Sequence, residues 1–180
     1  MELLDIALAV LRDNGFDRFT VDEVAARARA SKTTLYRRWP SKSELVVAAF
    51  AHGMLSTRHD IDTGTLRGDL IALGNLIVDQ IREHGATIAG IMNELQSGCG
   101  LRDAFEAEFL HERHRIVMGV LDRALARGEI DQHVISAELW DVLPVYLIFR
   151  GLAPGRPAPD EATVIALVDE VLLPSLRRPA

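Results

Sequence analysis

The chain has 180 residues, 48% of them hydrophobic and 26% charged, which is typical of a folded globular protein with one domain or two small ones. Its formal net charge of -6 excludes a chain that is basic throughout. The single cysteine, Cys99, excludes an internal disulfide and suits a reducing compartment.

The sequence also argues against export and membrane insertion. The N-terminus has no basic segment of the kind that opens a signal peptide, and Asp5 interrupts its short apolar run. The longest apolar run, residues 142–149, is far shorter than the roughly 20 residues that a membrane-spanning helix needs. We therefore expect a cytoplasmic protein with no membrane partner.

The first predicted helix begins near the N-terminus. Leucines recur at helical spacing from Leu3 through Leu8 to Leu11, and Asn14-Gly15 is a typical helix end.

Eight basic and seven acidic residues give residues 1–46 a charge of +1. Residues 47–180 carry twelve basic and nineteen acidic side chains, hence -7. An acidic body is compatible with DNA binding because charges farther apart than about 8 Å are largely screened at physiological salt.

The next stretch, residues 20–44, predicts two short helices joined by a tight turn and the start of a third. Thr20 and Ser41 are each followed three residues later by glutamate, which is the spacing of a capping box. Ser31 is a further N-cap candidate, and Pro40 ends the short helix that Ser31 begins. This is the pattern of a helix-turn-helix, whose second helix lies in the major groove of DNA.

The charges of this stretch agree with DNA contact. Between residues 24 and 43 no side chain is acidic and six are basic, namely Arg27, Arg29, Lys32, Arg37, Arg38 and Lys42. Basic side chains bind phosphates, and threonine, tyrosine and arginine can also reach base edges. The predicted DNA-binding residues are Thr20, Lys32, Thr33, Thr34, Tyr36, Arg37, Arg38 and Lys42. The simpler alternative is a solvated basic face on an ordinary helical bundle.

The first 50 residues resemble the DNA-binding domain of the TetR family of bacterial transcriptional regulators. The matching positions, in register, are Gly15-Phe16, Phe19-Thr20-Val21, Val24-Ala25, Ser31-Lys32, Leu35-Tyr36, Trp39-Pro40-Ser41-Lys42 and Leu45. Two features depart from the family: Arg29 stands where a turn glycine is usual, and no basic arm precedes the first helix. A non-glycine residue takes a positive φ only at some cost, so the turn is a point to test.

The resemblance carries expectations for function and site. It implies a transcriptional regulator, most often a repressor, in which Tyr36 and Lys42 touch phosphates. It also implies that residues 32–34 and Arg37 face the bases or the nearby backbone. For the end of the chain it implies a two-fold homodimer, formed by the last two helices as an intermolecular four-helix bundle.

A fourth helix begins at Ser41 and continues without a break through Leu45, Phe50 and Met54. It predicts a rigid connection between a helix-turn-helix DNA-binding domain, residues 1–46, and a helical ligand-binding and dimerisation domain, residues 47–180. Further helices are predicted at 66–83, 88–97 and 101–127, with a break at His84-Gly85. The sequence therefore predicts an all-α fold of about nine helices.

The last two predicted helices, roughly 136–151 and 160–176, are apolar on more than one face. A helix that is apolar on all sides must be buried on all sides, so this surplus favours self-association. Pro144 lies inside the first of them and predicts a kink there. We expect Tyr146→Asp or Leu172→Asp to give monomers that bind DNA weakly.

Polar residues within apolar helical rows suggest a regulatory cavity. His114 falls in the row Leu110, Val117 and Leu121, and burying such a group without a partner is costly. One explanation is a bond to a neighbouring helix or a side chain that extends to the surface. The other is a cavity for a small, mostly apolar effector, lined by Met92, Gln96, Phe105, His114, Met118 and Tyr146.

Other chemistries find little support in the sequence. His111 and His114 are three residues apart on one helix, but no further metal-binding motif accompanies them. Cys99 lacks the signature of a catalytic nucleophile, and we find no phosphate loop or dinucleotide fingerprint, so we expect no enzyme, metal or cofactor. The alternatives to a ligand-responsive regulator are a helical enzyme or metal-binding protein with an incidental basic face, and a DNA-binding dimer that senses nothing.

Overall fold

The computed structural model describes residues 3–55, 61–97, 100–131 and 137–176, and every regular element in these ranges is helical. The all-α prediction is therefore confirmed. Cys99 lies outside the described residues. The first four helices are α1 (Leu3–Arg18), α2 (Val21–Ala28), α3 (Lys32–Arg38) and α4 (Lys42–Leu55).

Four longer helices follow. These are α5 (Leu66–Ser97), α6 (residues 101–126), α7 (Ala137–Leu152) and α8 (residues 161–176). Two of them contain π-helical segments, Phe105–Leu110 in α6 and Val168–Leu172 in α8. Helix α7 continues through Pro144. Within the described ranges, no helix is long and apolar enough to span a membrane.

The predicted count of about nine helices is corrected to eight in the described part of the chain. The predicted helices 66–83 and 88–97 form the single helix α5, in which His84 alone departs from helical dihedrals, with φ -126° and ψ 16°. Glycine in a helix costs only about 1 kcal/mol, so Gly85 does not end it. The buried side chains of Ile81 and Ile88 on either side of the break favour continuation.

The described residues of Met1–Thr57 and Ala86–His114 pack as one compact unit. Helix α1 packs against α4 there, and both Val10 of α1 and Val46 of α4 are wholly buried. This division concerns packing, whereas the predicted boundary after residue 46 separates functions and stays a prediction.

The described residues of Arg58–Gly85 and Arg115–Ala180 form the other unit. Gly74 on α5 allows close approach of α8, since a Cβ there would lie 2.4 Å from a methyl carbon of Val164. Arg67 and Asp169 join the same two helices through two hydrogen bonds of 2.7 and 2.8 Å.

A buried polar cluster fixes the start of α5 in this second unit. The Asp69 carboxylate is wholly buried and accepts hydrogen bonds from the Thr63 backbone N–H (2.6 Å), the Thr63 hydroxyl (2.8 Å) and Arg127 Nη2 (3.2 Å). Arg127 also donates to Glu129 Oε1 at 2.5 Å, and Glu129 Oε2 accepts from the backbone N–H of Leu66 at 2.7 Å. The loop before α5 is thereby held against the end of α6.

Candidate nucleic-acid interface

Hydrogen bonds at the helix starts confirm the predicted caps of the helix-turn-helix. The backbone N–H of Glu23 donates to Thr20 Oγ1 at 3.2 Å, and that of Thr34 donates to Ser31 Oγ at 3.1 Å. Each hydroxyl satisfies one of the N–H groups that a helix leaves unpaired in its first turn. Thr20 therefore defines where α2 begins, and Ser31 defines where α3 begins.

The turn between α2 and α3 keeps the left-handed geometry that glycine would favour. Arg29 has φ 52° and ψ 36°, and its backbone N–H donates to the Ala26 carbonyl at 3.3 Å. The N–H of Ala30 donates to the Ala25 carbonyl at 3.0 Å, which closes the end of α2. Arg29 thus keeps the turn type that glycine would form, although this left-handed backbone conformation is unfavourable for a residue that carries a side chain.

Two side chains anchor α3 and leave the rest of it in solvent. Leu35 and Trp39 are 1% and 6% exposed. The remaining side chains of the helix, which we call the recognition surface, are all exposed: Lys32, Thr33, Thr34, Tyr36, Arg37 and Arg38. The structure therefore brings six of the eight predicted DNA-binding residues together on one short helix, with Thr20 exposed at the N-cap of α2.

Lys42, the eighth predicted residue, lies at the start of α4 against the end of α1. Its ammonium donates to the Asp17 carbonyl at 3.2 Å and sits 4.5 Å from the centre of the Phe16 ring. The Ser41 hydroxyl accepts from the Glu44 N–H at 3.1 Å and donates to the Glu44 carboxylate at 2.9 Å, as a cap of α4. The ammonium of Lys42 is thus held against the end of α1. Lys42 is also the first residue of α4, a position at which backbone N–H groups favour a phosphate.

Some of the basic side chains are already paired with carboxylates. Arg27 bonds to Asp13 and Glu23, each at 2.7 Å, and the hydrogen bond with Asp13 is the main cause that raises its pKa. Lys32 forms an ion pair with Asp22 across the turn, and hydrogen bonding to that carboxylate raises the pKa of Lys32. Sequence analysis missed these acidic partners because a count of charges in residues 24–43 stops short of Asp13, Asp22 and Glu23.

The predicted effector-binding residues are divided between the two units. In the first unit Phe105 is buried, Met92 is half-buried, and Gln96 and His114 are exposed. In the second unit Met118 is half-buried and Tyr146 is 39% exposed. Their shared role in a cavity stays a prediction. The exposed His111 and His114 form no cluster of three or more metal ligands with any side chain that the structure describes.

An aromatic cluster joins α4 to the π-helical segment of α6 in the first unit. The Phe105 and Phe109 rings stack with their centres 4.7 Å apart. Phe50 of α4 lies 6.3 Å from the first ring and 5.2 Å from the second. The predicted effector residue Phe105 therefore contacts the helix whose first residue is Lys42.

The predicted dimer helices expose large apolar side chains, with one difference from the sequence-based choice. Val145, Tyr146 and Phe149 of α7 are 59%, 39% and 63% exposed, and Val171 of α8 is 42% exposed. Leu172 is only 1% exposed, so it belongs to the core of its own protomer. The choice of Leu172 as an interface residue is therefore corrected, because an aspartate there would disrupt folding before association.

The structure has a capped helix-turn-helix whose second helix is basic and exposed to solvent, followed by a larger helical region. This is the architecture of a DNA-binding transcriptional regulator. Comparison with known families agrees. Residues 3–49 match the family described as bacterial regulatory proteins, tetR family, and residues 60–171 match the tetracyclin repressor-like C-terminal domain. The chain belongs to the TetR family.

Similar proteins are named as regulators rather than enzymes, as the sequence predicted. The HTH-type transcriptional regulator Rv1556 of Mycobacterium tuberculosis is 49% identical over 98% of this chain and 87% of its own. The DNA-binding transcriptional repressor TetR of Mycobacteroides abscessus is 38% identical, covering 97% of this chain and 92% of its own. The chain is thus a TetR-family DNA-binding transcriptional regulator.

Solved structures share the fold. The crystal structure of the TetR family transcription regulator SCO0332 has a TM-score of 0.81 and 29% identity, covering 98% of this chain and 97% of its own. FadR of Bacillus subtilis, solved in complex with stearoyl-CoA, has a TM-score of 0.64 and 18% identity, covering 97% and 96%. Regulators of this family bind DNA and small-molecule ligands and act as dimers.

Proposed function

We propose that this regulator is a repressor that binds a palindromic operator as a homodimer and leaves it when a small, mostly apolar ligand binds the C-terminal region. The recognition surface carries the proposal, because α3 is anchored by two buried side chains and otherwise presents polar and basic groups to solvent. The repressor named in Mycobacteroides abscessus supports the direction of control.

Within the DNA complex we assign two different roles to two basic residues. Arg37 is exposed on α3 and is proposed to read a base, since a bidentate arginine–guanine contact contributes about 1–3 kcal/mol of discrimination. Lys42 is held at the start of α4 by Asp17 and Phe16 and is proposed to anchor a phosphate. A phosphate contact strengthens binding to every sequence alike.

The homodimer is proposed to form through the apolar side chains that α7 and α8 expose. Val145 and Phe149 are four residues apart and so lie on one side of α7, with Tyr146 beside them. In a two-fold dimer each of these side chains is buried twice, once in each protomer. Two recognition helices related by such an axis would read the half-sites of a near-palindrome, one or more turns of DNA apart.

The effector is proposed to be a mostly apolar molecule with one polar group. Within the first unit, Phe105 and Met92 are proposed to supply apolar contacts and His114 the polar one. The complex of FadR with stearoyl-CoA supports an apolar ligand for this fold, although its low identity carries no detail of the ligand to this chain.

The proposed signal passes through the aromatic cluster to α4. A ligand that contacts Phe105 changes the packing of Phe109 and Phe50, and Phe50 lies on the helix that begins at Lys42. The ligand must prefer the state that does not bind the operator. A tenfold loss of operator affinity needs about 1.4 kcal/mol of such coupling.

The DNA-binding part is tested with an operator selected from a random DNA pool. The wild type should bind this operator with a steep salt dependence. Lys42→Ala should weaken operator and random DNA equally and lower the salt slope by about one, whereas Arg37→Ala should reduce the preference for the operator. Identical behaviour of the two variants on both DNAs would refute the assignment of reader and anchor.

The ligand-binding part is tested separately. Apolar compounds that raise the melting temperature are added to the protein–operator complex, with wild type and His114→Leu side by side. A true effector should release the operator from the wild type and act more weakly on the variant. Compounds that stabilise both proteins equally and never displace DNA would refute His114 as the polar contact and leave the sensing role unsupported.

A further inference from the structure

We propose that Trp39 is a positioning residue that holds the side chain of Arg38 ready to bind a DNA phosphate. Arg38 is the last residue of α3, and Trp39 follows it as the C-cap. The guanidinium carbon of Arg38 lies 4.8 Å from the centre of the Trp39 ring, and an aromatic face attracts a cation within about 6 Å. The inference rests on the proposed binding of α3 to DNA.

The two partners of this contact differ in how firmly the protein holds them. Trp39 is 6% exposed, and its backbone N–H donates to the Leu35 carbonyl at 2.8 Å. Arg38 is exposed, and an arginine in solvent samples many rotamers. Contact with a buried ring therefore favours those rotamers of Arg38 that place the guanidinium beside the turn between α3 and α4.

The contact with Trp39 leaves the hydrogen-bond donors of Arg38 available to DNA. A guanidinium that stacks on an aromatic face does so with its plane, and its N–H groups point outward from the edge of that plane. These donors match the oxygen atoms of a phosphate. The contact does not have to open when a phosphate binds, so it exists both in the free protein and in the DNA complex.

The gain in affinity comes from the rotamers of Arg38 rather than from a new contact between Trp39 and DNA. Apparent affinity scales with the fraction of molecules that already adopt the binding-competent conformation. A cation–aromatic contact at an exposed site raises that fraction about two- to fivefold. Trp39 should therefore increase the affinity for DNA by the same factor.

Arg38 shares this arrangement with Lys42, which lies four residues later, across the turn between α3 and α4. The Lys42 ammonium is 4.5 Å from the centre of the Phe16 ring. Arg37 contacts no aromatic ring among the residues that the structure describes. Arg38 thus resembles the proposed phosphate anchor Lys42 rather than the proposed base reader Arg37, and its contact should strengthen binding to every sequence alike.

A double-mutant cycle between Trp39→Leu and Arg38→Ala tests the inference, with Leu35→Val as the matched control. Leu35 is the other buried anchor of α3, at 1% exposed, so its replacement disturbs the packing of the same helix and keeps the ring beside Arg38. Trp39→Phe is included because it retains an aromatic face. Circular dichroism and thermal unfolding establish which variants are folded. Affinity is measured for the selected operator and for a random duplex of equal length over a salt series.

We expect Arg38→Ala to weaken binding to both duplexes and to lower the salt slope by about one. Trp39→Leu should weaken both about two- to fivefold with an unchanged slope, because the charge of Arg38 remains. Trp39→Phe should have a smaller effect, since phenylalanine attracts a cation less than tryptophan does. In the Arg38→Ala background Trp39→Leu should cause no further loss, whereas any loss from Leu35→Val should be the same with and without Arg38.

An equal loss from Trp39→Leu in both backgrounds would show that Trp39 acts through packing alone, and would overturn the inference. Wild-type affinity of Trp39→Leu or of Arg38→Ala, or a loss confined to the operator, would overturn it as well. If Trp39→Leu does not fold, Trp39→Phe takes its place in the cycle, and its loss must likewise disappear without Arg38. A wild type that binds neither duplex would instead refute the proposed function on which the inference rests.

Discussion

Phe149→Asp provides the sharpest test of the proposed dimer. Phe149 is 63% exposed, the largest exposure among the large hydrophobic side chains that the structure describes. Val145, one helical turn earlier, is 59% exposed. Because neither side chain serves the core of its own protomer, aspartate at Phe149 should weaken association and leave the fold intact.

The expected increase in the dimer dissociation constant follows from the exposed fraction of the Phe149 side chain. Complete burial of a phenylalanine side chain contributes about 1.5–3 kcal/mol, so burying the remaining 63% contributes about 1–2 kcal/mol. A two-fold interface contains the residue twice, which gives about 2–4 kcal/mol per dimer. The dimer dissociation constant should therefore rise by at least about 30-fold, and the burial of two carboxylates would add to that loss.

Sedimentation equilibrium over a concentration series measures this constant directly. Phe149→Leu is the control, because it keeps an apolar side chain at the same place and should remain near the wild type. Circular dichroism should show Phe149→Asp as helical as the wild type, whereas Leu172→Asp should lose stability. Equal dissociation constants for Phe149→Asp and Phe149→Leu would show that this surface of α7 is not the interface.

Three further predictions concern stability. Arg29→Gly should raise the free energy of unfolding by about 0.5–1 kcal/mol in urea, because glycine relieves the left-handed strain, and Arg29→Ala should not. Asp69→Ala should lower the free energy of unfolding by about 3–5 kcal/mol in the same assay, because it leaves the buried hydrogen-bond partners of the carboxylate unsatisfied. A loss below about 1 kcal/mol would contradict a stabilising role of the polar cluster around Asp69. Hydrogen bonding to Arg67 lowers the pKa of Asp169. The ionised carboxylate should therefore stabilise the folded protein above about pH 4, and this stabilisation should be lost as the pH falls through the lowered pKa. Asp169→Asn should remove that part of the acid dependence below about pH 4.

Local signals made the helix-turn-helix predictable from sequence. The caps Thr20 and Ser31 act within a few residues of their own helix, and the structure confirms both of them. The same argument explains the one excess helix in the prediction. A His-Gly pair is a local break signal, but packing along the whole of α5 decides whether the helix continues.

Interactions between distant residues could not be predicted in this way. Asp69 looks like an ordinary surface carboxylate in the sequence, because Arg127 follows it 58 residues later. The aspartate of the Asp22–Lys32 pair lies in a different helix from its partner. The periodicity of α7 and α8 shows an apolar surplus, yet it does not tell which apolar residues face the protomer core. The structure separates the buried Leu172 from the exposed Phe149.

Helix α4 is the element on which the DNA-binding and sensing arguments meet. Lys42 and Phe50 are eight residues apart on this helix, a separation of about 12 Å along its axis. Lys42 is fixed by Asp17 and Phe16 at one end, and Phe50 by the rings of Phe105 and Phe109 at the other. A helix transmits displacement along its axis because its hydrogen bonds resist compression. The segment that contacts Phe50, Phe105–Leu110, is π-helical. This geometry is rare in proteins as a whole, and where it occurs it is often at a functional site. A change in that segment therefore has a direct physical route to the residue proposed to hold the phosphate.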